Sequence, residues 1–198
     1  MTLVTCQIGV SLDGFAAGAD QTPDEPLGTG GERLHEWMFG KGTEADREIA
    51  TSITEGVGAF IMGRKMFAGG EGPLDPDWKG WWGDDPPYHA PVYVLTHHER
   101  EPLPMEGGTT FYFVSGGIED ALEQARDAAG DKRVDIAGGA STVQQYLRAG
   151  LIDDLYLHIA PVILGAGERL LDDVGDLALE PIEVVASPAV THIRYRVG

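Results

Sequence analysis

Four stretches of polar or glycine residues directly follow short apolar runs, and they contain the residue types that bind phosphate. They are Gly63-Arg64-Lys65, Thr96-His97-His98, Ser115-Gly116-Gly117 and Gly138-Gly139-Ala140-Ser141-Thr142. Glycine lets a ligand approach the backbone closely, and the free N–H groups of a following helix turn favour an anion. An Arg side chain matches a phosphate with two hydrogen bonds, and Lys and His add charge. The pattern therefore predicts a phosphorylated ligand.

The stretch from Arg133 to Gly167 carries most of this prediction. It indicates a strand, a tight Gly138-Gly139 turn, a helix that begins near Ser141 and ends at Gly150, and a second strand from Leu155 to Leu164. A phosphate at the turn is one interpretation, and a strand-to-helix turn whose glycines serve packing alone is the other. Basic side chains at the strand ends likewise either bind this phosphate or pair with surface carboxylates.

Composition narrows the classes of function. The chain has 198 residues, which suits one domain over 1–198 with a sizeable core, and 42% of them are hydrophobic. The net charge of −18 repels nucleic acid and anionic lipid, so neither is expected as a partner. The single cysteine, Cys6, excludes an internal disulfide and is expected to be a buried, inert thiol. No run is apolar enough for a membrane span and the N-terminus has no leader pattern, so we expect a cytoplasmic protein.

Short apolar strands alternate with helices, which predicts an α/β domain whose central sheet is mainly parallel. Further strands are expected over Leu3–Val10, Ala59–Met62, Val92–Leu95 and Thr110–Val114, with helices over 44–55 and Ile118–Ala129. The tail from Ile182 to Val197 alternates as one or two antiparallel strands. In such a sheet the carboxyl ends of the parallel strands meet at one edge, where these folds bind ligands.

Two long segments lack a clear period. Residues 15–42 are rich in Gly, Pro and acidic side chains, and they predict a long functional loop. Residues 68–90 contain four large aromatic side chains, including Trp81 and Trp82. These two either close over a flat heterocyclic substrate or pack a subunit interface. Together with the apolar final strands, this aromatic segment predicts a homodimer.

The histidines give no indication of a metal site. His35, His89, His158 and His192 show no metal-ligand spacing, and adjacent residues such as His97 and His98 would point to opposite faces of a strand. The sequence also lacks a recognisable Ser-His-Asp or Cys-His nucleophile arrangement. Neither metal-assisted nor covalent catalysis is therefore expected.

Five motifs occur in a fixed order along the chain: Ser11-Leu12-Asp13-Gly14-Phe15-Ala16, Met62-Gly63-Arg64-Lys65-Met66-Phe67, the Gly-Gly helix unit, Ala149-Gly150-Leu151-Ile152-Asp153-Asp154 and Pro161-Val162-Ile163-Leu164-Gly165-Ala166-Gly167. This combination resembles the dihydrofolate reductase-like family, closest to its riboflavin-biosynthesis reductase branch, the RibD C-terminal domain type. The resemblance covers nearly the whole chain. It implies a three-layer fold with helices on both faces of the sheet and an antiparallel C-terminal strand.

The resemblance also implies an NADPH-dependent reductase and a set of cofactor contacts. The cofactor phosphates would lie at Gly63, Arg64, Lys65 and Met66, and the adenosine 2′-phosphate at Thr96, His97 and His98. The pyrophosphate would lie at Gly138, Gly139, Ala140, Ser141 and Thr142, with a cis peptide between the two glycines, and the nicotinamide at Gly9 and Ala16. Independently of the resemblance, Trp81 and Trp82 are the candidate substrate contacts of the aromatic segment, with a subunit interface as the alternative.

Two departures from the family pattern limit the substrate assignment. Folate reductases carry an acid on the helix before the Gly-Arg strand; Asp46 is the catalytic candidate here, and a solvated acid that favours the helix dipole is the alternative. The zinc deaminase signature, His-x-Glu with Pro-Cys-x-x-Cys, does not occur, so the chain is at most the reductase half of such an enzyme. The family-level expectation is reduction of 5-amino-6-(5-phosphoribosylamino)uracil. The alternatives are dihydrofolate reduction and a non-catalytic NADP-binding module.

Overall fold

The computed structural model describes residues 2–22, 24–69 and 74–198. In this part of the chain, the strands are β1 (Val4–Ser11), β2 (Phe15–Gly18), β3 (Val57–Gly63), β4 (Pro91–Leu95), β5 (Leu103–Pro104), β6 (Thr110–Val114), β7 (Arg133–Gly138), β8 (Asp154–Ala160), β9 (Gly167–Arg169), β10 (Leu179–Ala186) and β11 (Thr191–Val197). The helices are α1 (Glu44–Ser52), α2 (Arg64–Ala68), α3 (Ile118–Ala129) and α4 (Ala140–Arg148). Short helical turns cover Gly31–Leu34, Trp37–Lys41 and Glu106–Gly108.

Nine strands form one sheet in the order β10-β11-β8-β1-β7-β3-β4-β6-β5. The six central strands, from β8 to β6, run parallel. The tail adds β11 antiparallel to β8 and β10 antiparallel to β11, and β5 closes the other edge in the antiparallel sense. This topology confirms the predicted class, a mainly parallel sheet with an antiparallel C-terminal strand.

The sheet is the middle of three layers, because its strands are apolar on both faces. In β3, Ala59 and Ile61 pack with α3 and α4 on one face, whereas Phe60 and Met62 belong to an aromatic cluster on the other. The second face is covered by α1, α2 and the aromatic loop, which we define as residues 74–90. Cys6 is fully buried in the first cluster, as expected. No helix of the described residues is long and apolar enough to cross a membrane.

Two expected elements differ from those observed. Strand β8 ends at Ala160 and not at Leu164, because Pro161 has no N–H group with which to extend the ladder. Residues 15–42 are not a structureless loop, since β2 pairs with β9 and two helical turns follow. The partner of β2 lies about 150 residues further along the chain, a distance over which local periodicity carries no information.

Candidate active site

A cavity of about 1040 Å³ opens at the carboxyl ends of the parallel strands and continues beneath α1. Its wall contains every residue expected to contact the cofactor: Gly9, Ala16, Gly63, Arg64, Lys65, Met66, Thr96, His97, His98, Gly138, Gly139, Ala140, Ser141 and Thr142. Trp81 and Trp82 line the same cavity. The structure therefore brings these residues together in one place, and their individual contacts to a ligand remain predictions.

The turn from β7 to α4 leaves space beside its backbone. The Gly138–Gly139 peptide is cis, which confirms that prediction, and Gly138 has φ +127°, a conformation that favours glycine. Among the described residues, a Cβ atom added at Gly139 would meet no heavy atom within 4 Å, although the residue lines the cavity. Helix α4 begins at the next residue, and although the Thr142 N–H donates to Gly139 O at 3.0 Å, the start of a helix favours an anion here.

The turn from β3 to α2 lies against this first turn. A Cβ atom at Gly63 would overlap the Thr142 hydroxyl, so only glycine allows the two segments to meet. Arg64 Nη1 donates a hydrogen bond to Gly69 O at 2.8 Å, which holds the guanidinium near the cavity. Lys65 Nζ lies 3.9 Å from Glu168, and both side chains are exposed. Cationic groups thus stand beside two adjoining backbone turns.

The segment after β4 supplies the third group of polar residues. Thr96 Oγ1 accepts the His98 N–H at 3.1 Å, which bends the chain as it leaves the sheet. His97 and His98 therefore lie beyond the strand and both line the cavity, so the expectation that they point to opposite faces of a strand is wrong. Ser115 and Gly117, after β6, line the wall too.

The basic side chain of Arg100 serves the aromatic loop and not the cavity. Its Nη2 donates to the carbonyl oxygens of Pro76 and Trp78, both at 2.8 Å. Its guanidinium lies 5.0 Å from the ring centre of Phe113. Although Arg100 is close in sequence to His97 and His98, it is not among the described residues that line the cavity.

The aromatic loop packs on the sheet and forms one side of the cavity. Trp81 Nε1 donates to Met66 O at 2.9 Å, next to the predicted phosphate turn. Trp82 stacks on Phe111, with ring centres 6.0 Å apart, and contacts Tyr88 edge-on at 5.2 Å. Both indoles are half-buried and line the cavity, so they offer flat apolar surface to a ligand. This position favours the substrate interpretation of the loop.

Asp135 is a buried acid in the cavity wall that the sequence analysis missed. It lies on β7, is 1% exposed, and accepts a hydrogen bond from Thr5 Oγ1 at 2.6 Å. Burial raises the pKa of Asp135 to about 7, although the Thr5 hydrogen bond and the positive charge of Arg133 oppose the rise. The sequence did contain a signal for this residue. Asp135 lies between Val134 and Ile136 in a central strand, and acidic side chains are rarely buried there without a specific role.

Three histidines distant in sequence meet on the α1 side of the sheet. Gly9, His158 and His192 are direct neighbours on β1, β8 and β11. The Nδ1 atoms of His158 and His192 lie 2.8 Å apart. His35 packs over Gly9, where an added Cβ would already touch its ring. His35 and His158 line the cavity, and within the described residues no group of His, Cys, Asp and Glu has the arrangement of a metal site.

Asp46 lies in the first turn of α1, as the alternative interpretation of the sequence has it, but its surroundings differ from those expected. The side chain is fully buried, so it is not a solvated acid, and it is not part of the cavity wall. Asp46 forms a capping box with Thr43 and accepts a hydrogen bond from His192 Nε2 at 3.0 Å. Burial alone would raise the pKa of Asp46, but the donors of Thr43 and His192 outweigh it and lower the pKa. An ionised, enclosed carboxylate cannot protonate a substrate directly, which corrects that expectation.

The sheet topology and the Gly138–Gly139 turn in the cavity at the carboxyl ends of the strands define a protein with the dihydrofolate reductase-like fold. A model of the RibD C-terminal domain family matches residues 2–193, and the chain belongs to that family. It is 23% identical over 182 residues to the uncharacterized protein YyaP of Bacillus subtilis (strain 168), covering 86% of this chain and 81% of YyaP.

Two solved structures show the same fold. One is a protein of Shewanella sp. PV-4 described as a riboflavin biosynthesis protein, with a TM-score of 0.68, 24% identity and coverage of 100% of this chain and 99% of that one. The other is dihydrofolate reductase from Enterococcus faecalis complexed with NADP(H), with a TM-score of 0.56, 14% identity and coverage of 98% and 96%.

Proposed function

We propose that the protein is an NADPH-dependent reductase of a small planar heterocycle, with 5-amino-6-(5-phosphoribosylamino)uracil as the family-level substrate. The observation that carries the proposal is the joining of three strand-end turns, at Gly63, Thr96 and Gly138, in one cavity. That cavity continues beneath α1 into a part lined by aromatic rings. One cavity thus offers anion-binding backbone and a flat apolar pocket side by side.

The residues of the outer part fit a phosphorylated dinucleotide. The open space beside Gly139 lets a pyrophosphate approach the first turn of α4, and Arg64 stands at the adjoining turn. The Arg64 guanidinium, together with Thr96, His97 and His98 in the same wall, would contact the 2′-phosphate that distinguishes NADPH from NADH. When bound, the nicotinamide supplies a hydride. The chain's own contribution is to hold both reactants in place and to exclude water.

The residues of the inner part fit a planar substrate and can handle a proton. Trp82, Phe60 and Tyr88 line the cavity with rings, and Asp135 belongs to the same wall. Because burial raises its pKa to about 7, Asp135 holds a proton near neutral pH that an ordinary aspartate would have lost. We propose that this carboxyl delivers the proton that accompanies hydride transfer. Trp81 and Trp82 would close over the ring of the substrate.

The deciding experiment follows NADPH oxidation at 340 nm with the ribosylaminouracil phosphate, dihydrofolate and a quinone panel. Turnover of the first substrate supports the proposal, and turnover of dihydrofolate alone replaces it with folate reduction. If NADPH binds and none of the compounds is reduced, the result favours the alternative of a non-catalytic NADP-binding module. Failure of NADPH to bind at all would overturn the proposed function.

A further inference from the structure

Asp46, His192 and His158 form a buried hydrogen-bonded chain that joins α1, β11 and β8. His192 Nε2 lies 3.0 Å from Asp46 Oδ1, and the two Nδ1 atoms lie 2.8 Å apart. None of the three side chains is more than 1% exposed. Trp37 packs on both imidazoles, with ring centres 5.0 Å from His158 and 4.8 Å from His192. The chain is therefore shielded from solvent, and it ends at His158, which lines the cavity.

The hydrogen bonds of Asp46 determine which nitrogens of this chain carry protons. Asp46 Oδ2 accepts the Thr43 N–H at 2.6 Å and the Thr43 hydroxyl at 2.9 Å. An ionised carboxylate can only accept, so the proton between Asp46 and His192 resides on His192 Nε2. Burial lowers the pKa of His192 and keeps the ring neutral, although the hydrogen bond and the charge of Asp46 oppose the shift. Its Nδ1 is then bare.

The same reasoning extends to the cavity. A bare His192 Nδ1 must accept its hydrogen bond from His158 Nδ1, so His158 carries its proton there and its Nε2 is an acceptor. Burial, followed by the positive charges that His192 and His35 would carry, lowers the pKa of His158 to about 3. The ring therefore remains neutral at physiological pH. Tyr156, on the same strand, also contacts it, with ring centres 4.9 Å apart.

His158 Nε2 is buried and has no hydrogen-bond partner among the described residues. The two nitrogens of an imidazole diverge, so Nε2 points away from His192. Buried polar atoms are nearly always paired, and this unpaired acceptor belongs to a ring that lines the cavity. We propose that His158 Nε2 accepts a hydrogen bond from an N–H or NH₂ group of the planar substrate, and that Asp46 and His192 are positioning residues that fix the accepting tautomer. This rests on the proposed function for the class of ligand.

The Asp46 atom that faces His192 should therefore determine whether His158 Nε2 accepts or donates a hydrogen bond. In Asp46→Asn, the amide oxygen must remain on the Thr43 N–H, so the NH₂ group faces His192 Nε2. His192 then accepts there, carries its proton on Nδ1 and donates to His158, whose Nε2 becomes protonated. Glu48→Gln is the matched control, because Glu48 is an exposed residue of the same helix.

Nitrogen-15 NMR of the histidine rings reads these tautomers without catalysis. At pH 7 we expect a bare Nε2 and a protonated Nδ1 for His158 in the wild type and in Glu48→Gln, and the reverse in Asp46→Asn. The wild-type spectrum is decisive even if the variant does not fold. A protonated His158 Nε2 in the wild type would overturn the proposal.

Calorimetric binding of uracil and 1,3-dimethyluracil tests the ligand contact. Dimethyluracil keeps both carbonyls and lacks N–H donors, so we expect wild type and Glu48→Gln to prefer uracil by about tenfold and Asp46→Asn to lose this preference. An equal affinity in the wild type, or a preference unchanged in Asp46→Asn, contradicts the proposal. An NADPH titration of the wild type separates this proposal from the proposed function. If NADPH does not bind, the reductase is refuted, and the assignment of the His158 tautomer is unaffected.

Discussion

Thr5 and Asp135 are direct neighbours on β1 and β7, and the threonine hydroxyl donates to the buried carboxylate at 2.6 Å. This single donor does not compensate for the loss of water, so the pKa of Asp135 rises to about 7 through burial. The charged form is therefore disfavoured in the folded state. A residue that destabilises the fold when ionised, and that lines a cavity, is a candidate for function.

The raised pKa predicts that the free energy of unfolding falls as pH rises from about 4 to about 7. In this range the unfolded chain loses the Asp135 proton while the folded state keeps it, so ionisation favours unfolding. Asp135→Asn removes this effect. We expect the free energy of unfolding of Asp135→Asn, relative to that of the wild type, to be about 2 kcal/mol higher at pH 8.5 than at pH 5.5. Urea denaturation at the two pH values measures this difference. Asp131→Asn, which changes an exposed residue nearby in sequence, is the control variant.

The same carboxyl gives a prediction for catalysis. If Asp135 donates the proton, kcat/KM for the ribosylaminouracil phosphate should fall as pH rises above about 7, because the acid is then lost. Asp135→Asn should lower kcat at pH 6.5 by 10²–10⁴-fold, the range of general acid catalysis, and leave the Kd for NADPH unchanged. An unaltered pH profile in the variant would exclude Asp135 as the donor.

Much of the fold and of the cavity wall could be predicted from the sequence, because these parts depend on local sequence patterns. Gly138-Gly139 and Gly63-Arg64 are recognisable because glycine or a charged residue directly follows an apolar run. The histidine cluster could not be predicted in this way. His158 and His192 meet through the register of β8 and β11, and Asp46 reaches them from a helix more than 100 residues earlier in the chain. Spacing rules cannot detect such a group, because strand register emerges only when the sheet forms.

The cation at the start of α2 should distinguish the two nicotinamide cofactors. We expect Arg64→Ala to weaken NADPH binding by about 1–3 kcal/mol, roughly 5- to 150-fold, through loss of one charge-assisted phosphate contact. NADH binding should change much less. Arg148→Ala, an exposed residue at the end of α4, is the control. Fluorescence titration with both cofactors provides the measurement, and an equal loss for both would assign Arg64 to the shared phosphates or to the structural hydrogen bond with Gly69.

A side chain at Gly139 should lower ligand affinity without lowering the stability of the fold, because the space beside Gly139 is open. Its backbone has φ −72°, which any residue adopts, and an added Cβ meets nothing, so Gly139→Ala should unfold at the same urea concentration as wild type. The methyl group would nevertheless enter the predicted pyrophosphate position and lower NADPH affinity at least tenfold. Gly150→Ala provides the opposite case: φ is +64°, so the variant should lose about 1 kcal/mol of stability and keep its affinity. Full NADPH affinity in Gly139→Ala would show that the cofactor phosphates lie elsewhere.

The edge strand β10 predicts where a homodimer would form. Its side chains Ile182 and Val184 are 38% and 61% exposed, and β10 pairs with β11 on one side alone. An exposed apolar edge strand is a template for a second strand unless it is covered, so we propose that two copies meet there. Val184→Lys should convert the protein to a monomer in sedimentation velocity at micromolar concentration. Ile163→Lys, which changes an equally exposed residue (60%) outside β10, should not. A wild-type protein that sediments only as a monomer would refute the dimer and leave the aromatic loop to the substrate.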